Sequence, residues 1–495
     1  MAEPLAQLRQ IRLDKIQKIQ SLGLNPFPGG CVSDRLNISS VSKKQIDDSV
    51  TIAGRLRAWR SHGQIVFADL EDASGRLQLF FSKKDLSDQQ LPLLELLDLG
   101  DFIAATGTLF KTQAGQLTLK VSVFSLLTKT VRPLPSEWFG LKDCEERYRQ
   151  RYLDLLLNKE VRDIVTLRAD TVDYLRRYLK TEGFLEVETP ILQPLYGGAS
   201  ARPFLTHHHA LDTDLYLRIS DELYLKRLIV AGFEKVFELG KDFRNEGIDR
   251  EHNPEFTMLE FYWAYRDYEQ LMSFTETMLS EMVKQVKGSY LVKYQDREYN
   301  FEPPWPRITF RDLLKKDSGI DLLKTDNEEK LLAEIKKKGL DVDLTGVAGF
   351  GPILDTLYKK ISRSALTGPV FIIDHPLSMR PLAKGKQDEP AFVASFQLLV
   401  AGVEWINAYN ELNDPRDQRQ RWEEEMNLGK KGLAEHQVLD EDYLRALEYG
   451  MPPTAGWGMG IDRVVAFLAD RHNLKETIIF PTLRPQGNPD PEVKE

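Results

Sequence analysis

The chain has 495 residues, of which 42% are hydrophobic, so we expect two or more domains with buried cores. It contains no apolar run long enough for a membrane span, and its charged N-terminal stretch does not resemble a secretory signal. Two cysteines are too few for a disulfide framework, and the net charge of -9 argues against nonspecific nucleic-acid binding. The sequence therefore predicts a cytoplasmic protein whose contacts with phosphates, if any, are local.

A helix is predicted within residues 1–30. Residues 4–22 are rich in helix-forming residues and are followed by Gly23, a frequent left-handed helix stop. Four basic side chains of this helix are either phosphate contacts or a solvated surface, and their spacing leaves both alternatives open: Arg9, Arg12, Lys15 and Lys18.

Five strand-like segments follow within residues 31–132. They span residues 51–59, 64–70, 76–82, 102–110 and 116–125, with a helical segment near 84–98 between the third and the fourth. Five short strands with an inserted helix are typical of an OB-fold β-barrel, a common platform for single-stranded nucleic acids. A fold alone does not assign a ligand, so the pattern predicts only the barrel.

A linker is predicted at residues 133–158, before a long helix at about 159–182 whose apolar residues recur at helical spacing. Gly183 ends this helix, and a strand leads to Pro190. Packing on a sheet and packing on a second copy of the chain both fit this pattern.

The segment Val236–Tyr265 has the pattern of two antiparallel strands joined by a polar loop. Because strand side chains alternate between faces, one face is mostly polar: Glu238, Asp242, Arg244, Glu246, Phe256, Met258, Glu260 and Tyr262. The other face is almost wholly apolar: Phe237, Leu239, Phe243, Thr257, Leu259, Phe261 and Trp263. We therefore expect one face of this hairpin in a core and the other in a site.

Three motifs identify a family resemblance. FRNEG at 243–247, FTMLE at 256–260 and GMGIDR at 458–463 resemble motifs 2 and 3 of the class II aminoacyl-tRNA synthetases. The whole chain, from the N-terminal helix to FPTLRP, resembles the bacterial-type lysyl-tRNA synthetases.

The resemblance implies an α+β fold. In it, the OB-fold would be an anticodon-binding domain, followed by a catalytic domain at 159–486 built on an antiparallel sheet flanked by helices. A mainly helical insertion is expected at about 308–368, and the helix, strand and Pro190 resemble motif 1, which implies a homodimer.

The resemblance also implies an ATP site. Arg244 would contact the α-phosphate, Phe256 would stack on the adenine, and Arg463 would be the second catalytic arginine. Three further residues are expected near the nucleotide: Glu246, His252 and Asn253. No GxxxxGK[ST] sequence occurs, which disfavours a P-loop ATPase.

The implied amino-acid pocket holds lysine. Since an unpaired buried ammonium would be costly, carboxylates should face it, and by resemblance these are Glu222 and Glu411, with Tyr262 as a hydrogen-bond partner. Glu260 and Asn407 would orient the α-amino and carboxylate ends. A further residue, Tyr409, stands where many relatives carry Phe and is expected to pack against the substrate.

A magnesium site is implied beside ATP. A two-residue turn at Ala401-Gly402 would place Gln397 and Glu404 on one face, where the family uses two carboxylates. Because an amide brings no negative charge, Glu404 with Glu411 is the stronger pair of ligands. Glu404 is out of phase with Asn407, so a bulge or twist is expected between them.

In the barrel, the resemblance places Phe67 and Gln78 where an anticodon base stacks and is hydrogen-bonded.

The implied reaction forms lysyl-adenylate and pyrophosphate from lysine and ATP, then transfers the lysyl group to tRNA(Lys). Three alternatives remain: an aspartyl- or asparaginyl-tRNA synthetase, a lysine ligase acting on a protein, and a noncatalytic tRNA-binding paralogue. The carboxylate pair Glu222 and Glu411 argues against an aspartyl- or asparaginyl-tRNA synthetase. The complete barrel argues against a ligase that acts on a protein, and the two arginines argue against a noncatalytic paralogue.

Overall fold

The computed structural model describes residues 5–135, 143–430 and 438–485. The chain divides into two compact units, Met1–Gly140 and Leu141–Glu495, and this boundary falls inside the predicted linker. Residues 136–142 of that linker and residue 486 of the predicted catalytic domain lie outside the described residues. Within the described ranges, every helix is too short or too polar to cross a membrane.

The N-terminal unit is a closed five-stranded barrel with strand order β1-β2-β3-β5-β4, which confirms the predicted OB-fold. Its elements are α1 (Leu5–Ser21), α2 (Ile38–Val41), β1 (Ser49–His62), β2 (Ile65–Asp72), β3 (Gly75–Ser82), α3 (Gln90–Leu96), β4 (Phe102–Lys111) and β5 (Leu117–Thr128). Gly107 lets β4 approach β5 closely, since a Cβ there would overlap the Lys120 carbonyl.

The first helix is fastened to the barrel by its basic side chains. Arg12 is buried and donates to the Thr130 hydroxyl and to the carbonyl oxygens of Arg132 and Leu99. Lys15 lies 2.7 Å from the Asp98 carboxylate. Two of the four candidate phosphate contacts are therefore engaged within their own unit.

The second unit is built on an eight-stranded sheet with order β14-β15-β16-β17-β18-β11-β10-β6, antiparallel except at its two edge pairs. Its strands are β6 (Leu185–Glu186), β7 (Leu192–Gln193), β8 (Phe204–His208), β9 (Thr213–Leu217), β10 (Lys235–Phe243), β11 (Glu255–Ala264), β12 (Leu291–Tyr294), β13 (Arg297–Asn300), β14 (Arg307–Thr309), β15 (Val370–Ile373), β16 (Ser395–Val400), β17 (Val403–Asn410) and β18 (Thr454–Gly460). Strands β7, β9 and β8 form a separate small sheet, and β12 pairs with β13.

The second unit has eleven α-helices among the described residues. They are α4 (Cys144–Arg149), α5 (Arg151–Leu157), α6 (Lys159–Thr181), α7 (Glu222–Val230), α8 (Tyr268–Lys287), α9 (Phe310–Ser318), α10 (Glu328–Lys337), α11 (Phe350–Ile361), α12 (Pro415–Lys430), α13 (Glu441–Glu448) and α14 (Ile461–Leu468). The main core joins α6, α8 and α14 to the sheet. Helices α9 to α11 lie in the segment expected to be a helical insertion.

The predicted hairpin is β10 and β11, paired antiparallel with Glu238 opposite Glu260. Phe237, Leu259 and Phe261 of its apolar face are fully buried in the main core, and Phe261 stacks on Trp457 with 4.7 Å between ring centroids. The alternation read from the sequence is confirmed, and the opposite face is free to line a site.

The strands β16 and β17 contain the expected bulge. Leu399 pairs with Glu404, but the preceding residue Leu398 pairs with Ile406, so Trp405 is an extra residue on β17. Trp405 is buried in the main core. The bulge shifts the alternation by one residue and thereby brings Glu404 and Asn407 to the same face of the sheet.

Candidate active site

A cleft of about 1200 Å³ opens on the polar face of the sheet. All fourteen catalytic-unit residues expected from the sequence line it: Glu222, Arg244, Glu246, His252, Asn253, Phe256, Glu260, Tyr262, Gln397, Glu404, Asn407, Tyr409, Glu411 and Arg463. They come from α7, the β10–β11 hairpin with its loop, β16, β17 and the residue after it, and α14. The fold thus brings together residues up to 241 positions apart, Glu222 and Arg463 being the extremes.

At one part of the cleft, an arginine and an aromatic ring are preassembled. The Arg244 guanidinium lies 5.0 Å from the centroid of the Phe256 ring. Asn253 is buried, and its amide nitrogen donates to the Glu255 carbonyl at 2.6 Å, whereas its Oδ1 has no hydrogen-bond partner among the described residues. His252 is held by Asp249 at 2.9 Å. A flat ring, a cation and an unfilled acceptor suit a nucleotide base and phosphate.

A second part of the cleft is organised around Glu404. Arg463 donates to its carbonyl oxygen at 3.1 Å, and the Gln397 amide donates to its carboxylate. Burial alone would raise the pKa of Glu404, but Arg380 and Arg363 outweigh it and lower that pKa. Glu404 is therefore an ionised carboxylate within a strongly basic region, which can accept anionic phosphates beside it.

The three expected metal ligands are not equivalent. The Gln397 Oε1 accepts a hydrogen bond from the Tyr358 hydroxyl at 2.7 Å, and Glu411 forms an ion pair with Lys226. Glu404 keeps an ionised carboxylate at the cleft surface. The donor set fits a magnesium ion through Glu404, whereas Gln397 and Glu411 have other partners.

A third part of the cleft contains paired carboxylates. Glu222 is the first residue of α7, and both of its carboxylate oxygens accept from the Tyr409 hydroxyl at 2.9 Å. Tyr409, which was expected only to pack against the substrate, therefore also donates a hydrogen bond to Glu222. Glu411 is buried close by, and Gly456 leaves room for it, since a Cβ there would overlap the Glu411 Oε1.

A lysine that the sequence analysis missed lies between these carboxylates. Lys226 is fully buried, and its Nζ is 2.5 Å from Glu222 Oε1 and forms an ion pair with Glu411. Burial alone would lower the pKa of Lys226, but the two carboxylates raise it above its ordinary value. The spacing of four residues from Glu222 on a helix was the available signal.

Near Glu222 and Glu411, the structure contains a cluster of buried carboxylates that the sequence indicated only in part. One carboxylate oxygen from each of Asp221, Asp242 and Glu260 lies within 4.8 Å of the others. Arg218 pairs with Asp242 at 3.1 Å and with Glu238 at 2.5 Å, so one cation serves several anions. Alternation had placed Asp242 and Glu260 on one face, but nothing in the sequence analysis pointed to Asp221.

Because these carboxylates outnumber the cations that pair with them, their pKa values are raised. Burial and Asp242 raise the pKa of Glu260 to about 8, and burial raises the pKa of Asp242 to about 6 against the opposing effect of Arg218. Burial, with repulsion from Glu260, raises the pKa of Asp221 well above its ordinary value. The cluster therefore holds protons near neutral pH and would release them to a bound cation.

Two neighbours complete this region. The Tyr262 hydroxyl donates to Glu260 Oε2 at 3.1 Å. The Asn407 Oδ1 is buried, and no described residue hydrogen-bonds to it. It is an acceptor available to a ligand of the cleft.

The barrel carries the two residues expected to contact an anticodon. Phe67 on β2 pairs with Phe80 on β3, and Asp69 pairs with Gln78, so all four share one face. Val66 and Ala68 are buried in the core, which makes this the outer face. The Phe67 and Phe80 rings are 5.3 Å apart, and Thr118 donates to the Gln78 amide oxygen at 3.0 Å.

Comparison with known proteins matches both units. The family model "tRNA synthetases class II (D, K and N)" matches residues 143–484, and the model "OB-fold nucleic acid binding domain" matches residues 50–127. The chain is similar to the lysine–tRNA ligase of Clostridium tetani, with 44% identity over 493 residues and 97% of each chain covered. It is 44% identical to that of Dehalococcoides mccartyi, covering 97% of this chain and 98% of the relative. For that of Carboxydothermus hydrogenoformans the identity is 43%, covering 98% and 99%.

Proposed function

Because this chain belongs to the class II tRNA synthetases (D, K and N), we propose that its cleft activates lysine with ATP and passes the lysyl group to tRNA, the activity of a lysine–tRNA ligase. The observation that carries the choice of lysine is the buried pair Glu222 and Glu411 at the cleft surface. A pair of carboxylates can neutralise a cationic side chain. It would repel an acidic side chain, and an amide side chain does not require it.

The first step places the lysine carboxylate in line with the α-phosphorus of ATP. The new bond joins a carboxylate oxygen to that phosphorus, and pyrophosphate leaves. Arg244 and Arg463 stabilise the charge on the phosphoryl oxygens, and Phe256 stacks on the adenine, with Glu246, His252 and Asn253 around the nucleotide. No side chain needs to act as a nucleophile, because positioning and charge stabilisation supply most of the catalysis.

Substrate lysine spans two polar regions of the cleft. Its ε-ammonium contacts Glu222, Glu411 and the Tyr262 hydroxyl, and Tyr409 packs beside it. Its α-ammonium lies near Glu260, while Asn407 orients the other end. The support for this orientation is that all of these side chains line one cleft and that the Asn407 Oδ1 has no partner among the described residues.

Magnesium is proposed to accompany ATP, with Glu404 as its protein carboxylate. The ion would neutralise phosphate charge while pyrophosphate leaves. Gln397 is less suited to ligate it, because its oxygen already accepts from Tyr358.

The second step transfers the lysyl group to a terminal ribose hydroxyl of tRNA(Lys). Phe67 and Gln78 are proposed to contact an anticodon base on the outer face of the barrel, where the ring supplies stacking and the amide supplies edge recognition.

We also propose that the protein is cytoplasmic, in keeping with two free, exposed cysteines, Cys31 and Cys144.

A homodimer is proposed through the motif 1 region at 159–190 and the strands β7 and β8 that follow it. One large apolar side chain of motif 1 and four after it are exposed: Leu185, Ile191, Leu192, Leu195 and Leu205. Such a group of apolar side chains is typical of a surface that a partner covers, and most soluble homo-oligomers have two-fold symmetry.

The direct test is amino-acid-dependent exchange of pyrophosphate into ATP across all twenty amino acids. Lysine should support exchange at a rate far above the others, and purified tRNA(Lys) should then accept lysine. Exchange with aspartate or asparagine in place of lysine would contradict the proposal, as would charging of a protein but not of tRNA.

A further inference from the structure

The amino-acid pocket contains a cation of its own. Lys226 lies one helical turn after Glu222 on α7, and its Nζ contacts both Glu222 and Glu411. Both carboxylates line the cleft, whereas Lys226 does not and is fully buried. The resident ammonium therefore lies behind the two carboxylates, on the side away from the entering substrate.

The ionisable groups that face Lys226 or its partners come from four elements or their flanks. They are Glu222 on α7, Tyr409 on β17 with Glu411 just after it, Glu260 and Tyr262 on β11, and Tyr443 on α13. Burial raises the pKa of all three tyrosines, so they stay neutral near pH 7. Around Lys226 itself, two carboxylates thus face one ammonium.

We propose that Lys226 is a positioning residue that determines specificity, since its fixed ammonium holds Glu222 and Glu411 in place for the ammonium of the substrate side chain. The inference rests on the proposed activation of lysine. It adds that a lysine of the protein itself, Lys226, pairs with the carboxylates that bind the substrate. The chemical class selected is an amino acid whose side chain carries a single positive charge.

The geometry leaves acceptors open towards the cleft. The Glu222 carboxylate accepts hydrogen bonds from both the Lys226 ammonium and the Tyr409 hydroxyl, so it has a fixed orientation. The Glu411 Oε1 has no hydrogen-bond donor among the described residues and lies against Gly456, a cleft residue. An incoming ammonium can therefore bind Glu411 without displacing Lys226.

Without Lys226, the two carboxylates would repel each other at close range and would lose the group that fixes their positions. Substrate lysine would then have to order the pocket as it binds, at a cost in affinity. Lys226 therefore keeps the two carboxylates preassembled for the substrate ammonium.

The test is Lys226→Met, with KM for lysine and KM for ATP measured by pyrophosphate exchange. We expect KM for lysine to rise about 10-fold or more, since removing one partner of a buried charged group is costly. KM for ATP should stay within about 2-fold of the parent value, because Lys226 contacts only the carboxylates of the amino-acid region.

The matched control is Lys226→Arg, which keeps the charge and should hold KM for lysine within about 3-fold of the parent value. If Lys226→Met does not fold, Lys226→Gln removes the charge but keeps a donor, and the same rise in KM for lysine is expected. An unchanged KM for lysine, or an equal rise in KM for lysine and for ATP, would overturn the proposal, because a residue that only packs does not distinguish the two substrates. If the parent itself shows no lysine-dependent exchange, it is the proposed function that fails.

Discussion

Glu222 and Glu411 differ in what else they contact, and this decides which is the better probe of the pocket. Glu222 accepts from the Tyr409 hydroxyl and pairs with Lys226, all within the amino-acid region. Glu411 is fixed between Lys226 and Gly456, so changing it also disturbs β18. Glu222→Gln keeps the shape and removes one charge.

We expect Glu222→Gln to lower kcat/KM for lysine by roughly 10² to 10³, since a buried ion pair broken on one side costs ~3–5 kcal/mol. KM for ATP should change little. Steady-state pyrophosphate exchange with varied lysine measures both values. Glu404→Gln is the control, because it should respond mainly to ATP and magnesium concentration; a Glu222→Gln variant that uses lysine as the parent does would refute the pocket assignment.

The carboxylate cluster predicts a pH dependence of stability. The pKa of Glu260 is raised to about 8 in the folded protein, from an ordinary value of 4.5. The folded state therefore binds more protons than the unfolded state between these values, and the free energy of unfolding should fall as pH rises from about 5 to 8. Asp221→Asn removes one of the repelling carboxylates and should stabilise the ligand-free protein at pH 8 by on the order of 1–3 kcal/mol.

Thermal or urea unfolding at pH 5 and pH 8 measures this effect. The gain from Asp221→Asn should be clearly smaller at pH 5, where the cluster is protonated in both proteins. Asp173→Asn, at an exposed carboxylate of α6, should leave the pH dependence unchanged. An equal effect of Asp221→Asn at both pH values would show that the cluster is not short of cations.

Among the elements, the outer face of the β2–β3 pair is the proposed anticodon platform. Phe67→Ala and Gln78→Ala should each lower kcat/KM for tRNA(Lys) by roughly 10- to 100-fold, since a stacked base contributes ~1–3 kcal/mol. Lysine-dependent pyrophosphate exchange should stay nearly intact. Aminoacylation with varied tRNA is the measurement, and Phe27→Ala removes an exposed ring of the same unit outside the strands as a control. Loss of exchange in either variant would mean that these residues are misplaced.

For the whole molecule, the exposed apolar side chains of motif 1 and of the strands β7 and β8 after it predict a dimer. Leu205→Asp places a charge on that surface and should convert the protein to monomer at micromolar concentration, as sedimentation would measure. Leu323→Asp, at an equally exposed leucine of the segment between α9 and α10, should remain dimeric. A parent that sediments as a fully active monomer would refute the dimer.

Much of this architecture was determined by the sequence alone, because it depends on local patterns. Period-two alternation predicted both faces of β10 and β11, the five barrel strands were visible as short runs between turns, and the phase difference between Glu404 and Asn407 required the bulge found at Trp405. Motif resemblance then indicated fourteen residues that line one cleft. These features depend on spacing along one or two adjacent strands, or on a family pattern.

The tertiary structure alone decided how the buried charges are shared. Lys226 meets Glu411, which is 185 residues away, and Arg218 serves Glu238 and Asp242 while Asp221 and Glu260 have no cation of their own in the described chain. Charge pairing in a buried site depends on distance and desolvation between distant segments, and neither quantity is encoded in a residue's neighbours. For that reason the sequence predicted which carboxylates form the pocket, and only the fold showed the lysine that lies behind them.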